Sequence, residues 1–591
     1  MKTKLVLLLL LMGAIALFLG IDTLYNNTVA QQVEPVAAAP IVQAKIQNTL
    51  IGRTPTVVKG FDWSLPQHTR ITPNSGMVGN EDNSMRNHEF IPVLWSKTNP
   101  RKGVYNFSKL QKKLSSLGAK KALIRLEVNS SCEAPAWAMK QLRASKDKSL
   151  IFWDQNYINL LQPYLNAFAK RFANSPQVAG VHLGIGDGEF SGSCDNYDNK
   201  DGWGEFWMSP EVLAEAEKSF GFTPDIFEAR SKQIIDIYAK AFGANKSKLA
   251  FTNQGPLFSW DDGADAYNKK LTKIAFYALG KGLGSRDGGT EPWLRFTDRI
   301  YGSDLNSMPD GTCRLDFDEN YAKKIKGRYW GTENEFYGNK SFVTEQYGPY
   351  KNQPYRFMVS SLRALQMRRN YITIAGDSMK KIKHPDYKTQ DFMRYLSKVM
   401  GKQIDNTPDA FVLLGERYLS AFRAVDHKNE PCVKANGNKV PVRSFGRWLT
   451  DNTESTAAIK IRMPASENYW GQNYYMPEGL DYEYAARKSK RFAFDLNNEL
   501  ANKRCAKGCE VEVKFTFKDT LKTGLTIQVA EGHTKTLQTS GDQHIKTATF
   551  KLKSRFSQGG LDSNGSDFIL QSQQAIPVFL MRVNFLSVVS H

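Results

Sequence analysis

Cysteine is scarce in this sequence: Cys132, Cys194, Cys313, Cys432, Cys505 and Cys509 are the only six among 591 residues. Their spacing fits no zinc site, and none stands beside the N-terminal apolar run, which argues against a lipid-modified cysteine there. His-Glu-x-x-His, Gly-x-Ser-x-Gly and Gly-x-x-x-x-Gly-Lys are all missing. With them go zinc proteolysis, the serine nucleophile elbow and the phosphate-cradling loop. A Cys-x-Pro-x-Arg sulfatase signature is absent too, so a sulfated substrate would be bound rather than desulfated. There is no internal repeat and no long low-complexity segment. No cofactor and no metal are expected.

Acidic residues are also in deficit, 59 against 79 lysines and arginines, leaving a formal charge of +20. Such a balance favours acidic partners, whether nucleic acid, anionic membrane or acidic polymer. The chain carries no zinc-finger spacing and no RNP-type motif, so nucleic acid is not the expected partner. The alternatives are a sulfated or carboxylated glycan, or a charge incidental to function. Aromatics make up 12% of the chain, including 11 Trp and 24 Tyr, which suits either sugar stacking or a large aromatic core.

Lys2 and Lys4 precede the apolar run Leu5 to Leu19, and Thr28-Val29-Ala30 follows as a small-residue site. This is a signal-peptide pattern over 1–30, with an uncleaved N-terminal anchor as the alternative. Export to the periplasm or the extracellular space is therefore expected, a setting in which an even cysteine count permits disulfides. Residues 31–52, rich in Ala, Gln, Val and Pro, form a linker.

From 53 to 385, short apolar strands alternate with amphipathic helices, the pattern of parallel α/β architecture. Strands are expected at 56–63, 90–95, 121–128, 178–186, 249–253, 280–286, 327–333 and 371–376. Eight of them in this length predict a (β/α)8 barrel. In 153–172, Tyr157, Leu160, Leu161, Tyr164, Leu165, Phe168 and Phe172 repeat at helical spacing. Ser209-Pro210 and Thr223-Pro224 each pair an N-cap hydroxyl with a first-turn proline. Mixed helix and loop over 386–490 extends the barrel. Residues 491–591 alternate as half-buried strands, for example Val511-Glu512-Val513-Lys514-Phe515, and predict an antiparallel β-sandwich.

In such barrels, catalytic groups sit at the C-terminal strand ends. The fourth expected strand runs into Asp187-Gly188-Glu189, and the seventh into Glu333-Asn334-Glu335. Cleaving a glycosidic bond with retention needs one protonated and one ionised carboxyl facing each other across that bond. Strands four and seven lie on opposite sides of a barrel mouth and can supply them.

Trp95-Ser96-Lys97-Thr98-Asn99-Pro100-Arg101-Lys102-Gly103-Val104-Tyr105-Asn106-Phe107 and Ala134-Pro135-Ala136-Trp137-Ala138-Met139 carry a further signal. Over about 55–390 the chain resembles the clan A glycoside hydrolases, in particular the family 42 type of β-galactosidase and related galactan-degrading enzymes. The resemblance implies Glu189 as acid/base and Glu333 as nucleophile; Glu335, two residues on and on the same strand face by alternation, is the alternative nucleophile. It departs from the clan in having Gly188, not Asn, before the acid/base. Asp187 is expected beside the site as a hydrogen-bonding group. Trp137, Trp203, Trp260 and Trp330 are candidate sugar-stacking rings, each with core packing as its alternative. Arg286 either meets a substrate hydroxyl or sulfate, or forms an internal ion pair. Arg125 is expected to point inward in support of the site, and His182 to be a satisfied core histidine.

The resulting expectation is a retaining hydrolase of β-galactosidic bonds, acting on a neutral or sulfated galactan of the carrageenan or agar kind. Hydrolysis of another β-glycan on the same barrel and non-catalytic binding of a surface glycan are the alternatives.

Overall fold

A computed structural model gives the architecture and describes residues 55–79, 88–146, 148–185, 210–253, 265–287, 302–334, 353–374, 385–419, 440–462, 482–529, 534–556 and 560–586. The first strand, β1 (Thr56–Lys59), is not part of the barrel. It pairs antiparallel with the C-terminal sheet, Thr56 opposite Thr549. The sequence pointed to a barrel strand at 56–63, but Val57 and Val58 are both exposed, which a barrel strand with two covered faces would not allow. Gly60 then turns the chain at φ +73, where a Cβ would lie 2.5 Å from the Asp386 carbonyl oxygen.

The barrel itself is closed and parallel. Its strands in chain order are β2 (Gly76–Gly79), β3 (His88–Leu94), β4 (Lys121–Glu127), β5 (Val178–His182), β6 (Leu249–Asn253), β7 (Gly284–Asp287), β10 (Trp330–Asn334) and β11 (Tyr371–Ile374). Between the sixth and seventh of these, β8 (Ser303–Ser307) and β9 (Cys313–Phe317) leave to join the second sheet.

The helical layer follows from sequence signals. One helix, Gln155–Phe172, begins where Asp154 accepts a hydrogen bond from the Asn156 amide, and it buries Tyr157, Leu161, Tyr164, Leu165, Phe168 and Phe172. Another, Pro224–Phe242, starts at Thr223, whose hydroxyl accepts from the Ile226 amide. The Trp95–Phe107 motif proves to be a packing device. The Trp95 indole donates to Asn99 Oδ1, Asn99 donates to the Arg101 and Val104 carbonyls, and Tyr105 and Phe107 pack on Tyr164.

The second domain is a mixed sheet. Its further strands are β12 (Asp409–Leu419), β13 (Val440–Arg447), β14 (Leu449–Asp451), β15 (Ala457–Arg462), β16 (Tyr482–Leu496), β17 (Cys509–Lys518), β18 (Gly524–Val529), β19 (Thr534–Gln538), β20 (Ile545–Ser554) and β21 (Phe568–Phe585). The long β21 belongs to two arms: its first part pairs with β18 and β16, its last part with β17 and β12. Phe492, Phe494, Leu525, Ile527, Val511, Phe515 and Val583 share one core, so the arms pack on one another as a sandwich. Its strands come from well beyond 491–591, since 409–496 supplies five that were expected as helix and loop. The β9–β13 pairing is parallel, whereas the other strand pairings of this sheet among the described residues are antiparallel.

β12 shows why the domains adhere. Ala410, Val412 and Leu414 enter the sandwich core, while Phe411 and Leu413 enter the core shared with Phe357, Leu362, Phe392 and Leu396 of the barrel helices. Both faces are covered, so the strand reads as an unbroken apolar run. A disulfide joins Cys505 to Cys509. Cys132 and Cys313 are also disulfide-bonded, and no described cysteine is free.

Candidate active site

The site is built from the barrel lumen upward. Val78, Phe90, Leu123, Ala250, Tyr329 and Tyr371 form an apolar floor, with the Tyr329 and Tyr371 rings stacked at 4.6 Å. Gly180 makes room for this, since a Cβ there would stand 2.3 Å from the Tyr329 ring.

One step along the parallel strands the lumen becomes polar. In β4, residues of alternate sets face opposite ways. Ile124 and Leu126 enter the core beneath the helices, whereas Leu123 belongs to the lumen floor, followed in its set by Arg125 and Glu127. Arg125 and Glu127 form an ion pair and are each 2% exposed. The Arg125 guanidinium also lies 5.5 Å from the Phe90 ring centre. His182 of β5 shares a 3.0 Å hydrogen bond between Nε2 and the Tyr329 hydroxyl. Burial, with the charges of Arg286 and Arg125, holds its pKa well below the ordinary histidine value. Neutral His182 therefore lies in the field of two arginines. It is buried and bonded at Nε2, but its buried Nδ1 has no partner among the described residues, so it is not the fully satisfied core histidine expected.

Arg286 of β7 is fully buried and stands in register with Thr252 on one side and Gly331 on the other. Its burial sets it under the mouth rather than on an exposed rim. Glu333 is the next-to-last residue of β10, in register with Thr373, and belongs to the alternate set of Tyr329 and Gly331. Strand order separates β5 from β10 by β6 and β7 on one side and by β11, β2, β3 and β4 on the other. The C-terminal ends of these two strands thus stand on opposite sides of the mouth. Glu189, Glu335, Asp187, Trp203 and Trp260 lie outside the described residues, as does the side chain of Glu333.

Two tryptophans can be placed. Trp137 is half-buried, donates from Nε1 to the Asn99 carbonyl at 2.9 Å, and packs on the core around the third strand. Trp330, a candidate stacking ring, is instead core on the outer side of the barrel. It is 1% exposed, packs with Ile325 and Met367, and donates to the Met367 carbonyl. Alternation explains the difference, because Tyr329 and Gly331 take the lumen side and leave Trp330 the other.

Glu127, Tyr329 and Tyr371 were missed as site groups. The signal for Glu127 is present in Lys121-Ala-Leu-Ile-Arg-Leu-Glu127, where charges two apart interrupt a barrel strand. Buried Glu133 organises the following loop by accepting from the Asn129 and Ser130 amides at 2.8 and 3.0 Å. Among the described residues, no group of three His, Cys, Asp or Glu is placed to hold a metal ion.

No family model matches the chain, and no curated protein matches it. Solved structures similar to it include the catalytic domain of a β-amylase from Paenibacillus polymyxa, at 9% identity and TM-score 0.33, covering 56% of this chain and 100% of that one. A GH30 endoxylanase from Clostridium papyrosolvens is similar at 10% identity and TM-score 0.31, covering 88% and 99%. A β-galactosidase from the psychrophilic Marinomonas ef1 is similar at 11% identity and TM-score 0.29, covering 52% and 54%. Likenesses this slight add nothing to the barrel already given by strand pairing.

Proposed function

We propose that this protein is an exported retaining glycoside hydrolase that cleaves β-galactosidic bonds in an anionic galactan. The observation that carries the reading is the lumen of the closed barrel. Charged groups occupy its upper layer, and the strand that brings in Glu333 emerges across the mouth from the strand that leads to Glu189. In this reading Glu333 attacks the anomeric carbon while Glu189 donates a proton to the leaving oxygen. A water deprotonated by Glu189 then releases the sugar. Glu335 is the alternative nucleophile, and Asp187 assists beside the acid.

The buried cations have a place in this chemistry. Arg125 and Arg286 raise the potential of the lumen, which favours an ionised carboxylate at its upper end. Glu127 neutralises part of that charge. The paired cysteines support an oxidising compartment and hence export. The +20 charge supports an anionic polymer.

Digestion of a panel of neutral and sulfated galactans, with products read by mass spectrometry, tests the reading. Galacto-oligosaccharide release is expected. Cleavage of glucans or mannans with galactans untouched would reassign the substrate, and no cleavage of any β-glycan would remove the hydrolase assignment.

A further inference from the structure

A second basic site lies outside the barrel lumen. Where the chain passes from β1 toward the barrel, residues 61–65 lie beside the helix Thr389–Val399, and the two enclose an open cleft of about 240 Å³. We propose that this cleft binds a sulfate- or carboxylate-bearing unit of an anionic glycan, as an anchoring site on the outer wall of the barrel.

Charge is the first support. Lys388, Arg394 and Lys398 line the cleft, together with Asp62 and Asp391. Both carboxylates are engaged: Asp391 pairs with Arg394 at 2.6 Å, and Asp62 with Lys514 at 2.7 Å. Burial works against the charge on Asp62, but Lys514 holds its pKa down at about 2. Among the described residues, Lys388 and Lys398 have no carboxylate within ion-pair distance. The cleft therefore keeps two amino groups available to an anion.

The second support is a rigid floor. Trp63 and Tyr395 also line the cleft, with ring centres 5.3 Å apart, and the Trp63 indole donates to the Tyr387 carbonyl at 2.8 Å. The Arg582 guanidinium lies 4.5 Å from the Tyr395 ring centre. Asp391, Arg394, Tyr395 and Lys398 fall at helical spacing on one helix face, and Lys388 immediately precedes that helix, so the basic side chains leave the backbone beside that floor. An extended anionic chain can lie across the Lys388 and Lys398 amino groups, each making a charge-assisted hydrogen bond.

The choice of a galactan as the polymer rests on the proposed function; the anion site itself does not. The test is acetylation footprinting of the full chain carrying Glu333→Gln, with a sulfated galactan oligosaccharide and a neutral one of equal length as probes. Acetylation of Lys388 and Lys398 should slow with the sulfated probe only. The Lys388→Ala/Lys398→Ala variant should bind that probe about tenfold more weakly, as expected for two lost charge-assisted contacts. In the otherwise native chain, the same double variant should leave hydrolysis of a small aryl β-galactoside unchanged. Absence of protection, equal protection by both probes, or unchanged affinity in the double variant overturns the anchoring site. A chain that shows the protection but cleaves no galactoside keeps the site and loses the hydrolase reading.

Discussion

His182 and Tyr329 join the fourth and seventh strands of the barrel across its centre, through a 3.0 Å hydrogen bond between the imidazole Nε2 and the phenolic hydroxyl. The bond sits where the apolar floor gives way to charged groups. It fixes the imidazole, whose register partner on the third strand is Arg125, and ties the strand that leads to Glu189 to the residue just before the strand that carries Glu333.

The first prediction concerns that histidine. Burial and two nearby arginines hold its folded pKa well below the unfolded value, and His88 is likewise lowered, to about 4, mainly by burial. The unfolded chain therefore binds more protons between these folded values and about 6.5, so stability rises with pH through that window and is lost on acidification. His182→Gln should flatten this dependence, measured as Tm from pH 4 to 8. In the native chain the His182 ring should show no NMR titration near pH 6.5.

The two carboxylates give the second prediction. Glu189→Gln should lower turnover by about 10²–10⁴-fold, the usual range for a lost general acid. Glu333→Gly should abolish hydrolysis and regain part of it in azide, with an azido sugar as product, because azide fits where the nucleophile stood. Rescue at Glu335→Gly instead would transfer the nucleophile role. An initial product of inverted anomeric configuration, read by ¹H NMR, would remove double displacement altogether.

The legible parts of this fold are those where pattern and environment coincide. The stripe of the Gln155–Phe172 helix and the alternation of β17 appear in the sequence because each meets one core with one face. The first barrel strand does not, since Gly76-Met77-Val78-Gly79 is short and half glycine, a composition depleted in strands. The apolar Val57-Val58 pair attracted that role and instead forms a sheet edge. Glutamates at two strand ends are visible as sequence. The Arg125–Glu127 pair and the His182–Tyr329 bond depend on which strands become neighbours, and no local pattern states that. Trp330 stood next to the right residues and faces the other way.

The sandwich carries the third prediction. Burial, with the charge of Asp562 adding, pushes the Asp495 carboxyl up to about 6, although a hydrogen bond with Asp567 works against the rise. The folded state then holds a proton that the unfolded state releases, so this group's contribution to stability falls as pH rises from about 4 to about 6 and stays low above. Asp495→Asn removes the titration. Its Tm should exceed the native value at pH 8 and match it near pH 3.5, and a variant less stable at both would contradict the assignment.

Trp330 gives the fourth. As a core ring on the outer wall it should cost about 3–5 kcal/mol when replaced by alanine, measured by denaturant unfolding. Trp330→Phe should fold and retain the native KM for oligosaccharides. A rise in KM with stability unchanged would put the ring back among the sugar contacts.

The last prediction separates two roles for Arg286. An exposed arginine gripping a substrate sulfate would matter for sulfated galactans and little for neutral ones. Arg286 is fully buried in the lumen, beside Thr252 and Gly331 in register. From there its charge acts on the lumen itself, and it is one of the groups that depress the His182 pKa, after burial. Arg286→Met should therefore lower turnover on neutral and sulfated substrates by similar factors. It should also raise the His182 pKa, followed by NMR, because one of two repelling cations has gone. Arg286→Lys should restore the histidine pKa toward the native value, since the positive charge returns without the forked donor geometry. A selective loss on the sulfated substrate with the His182 titration unmoved would mean that the arginine reaches the ligand directly.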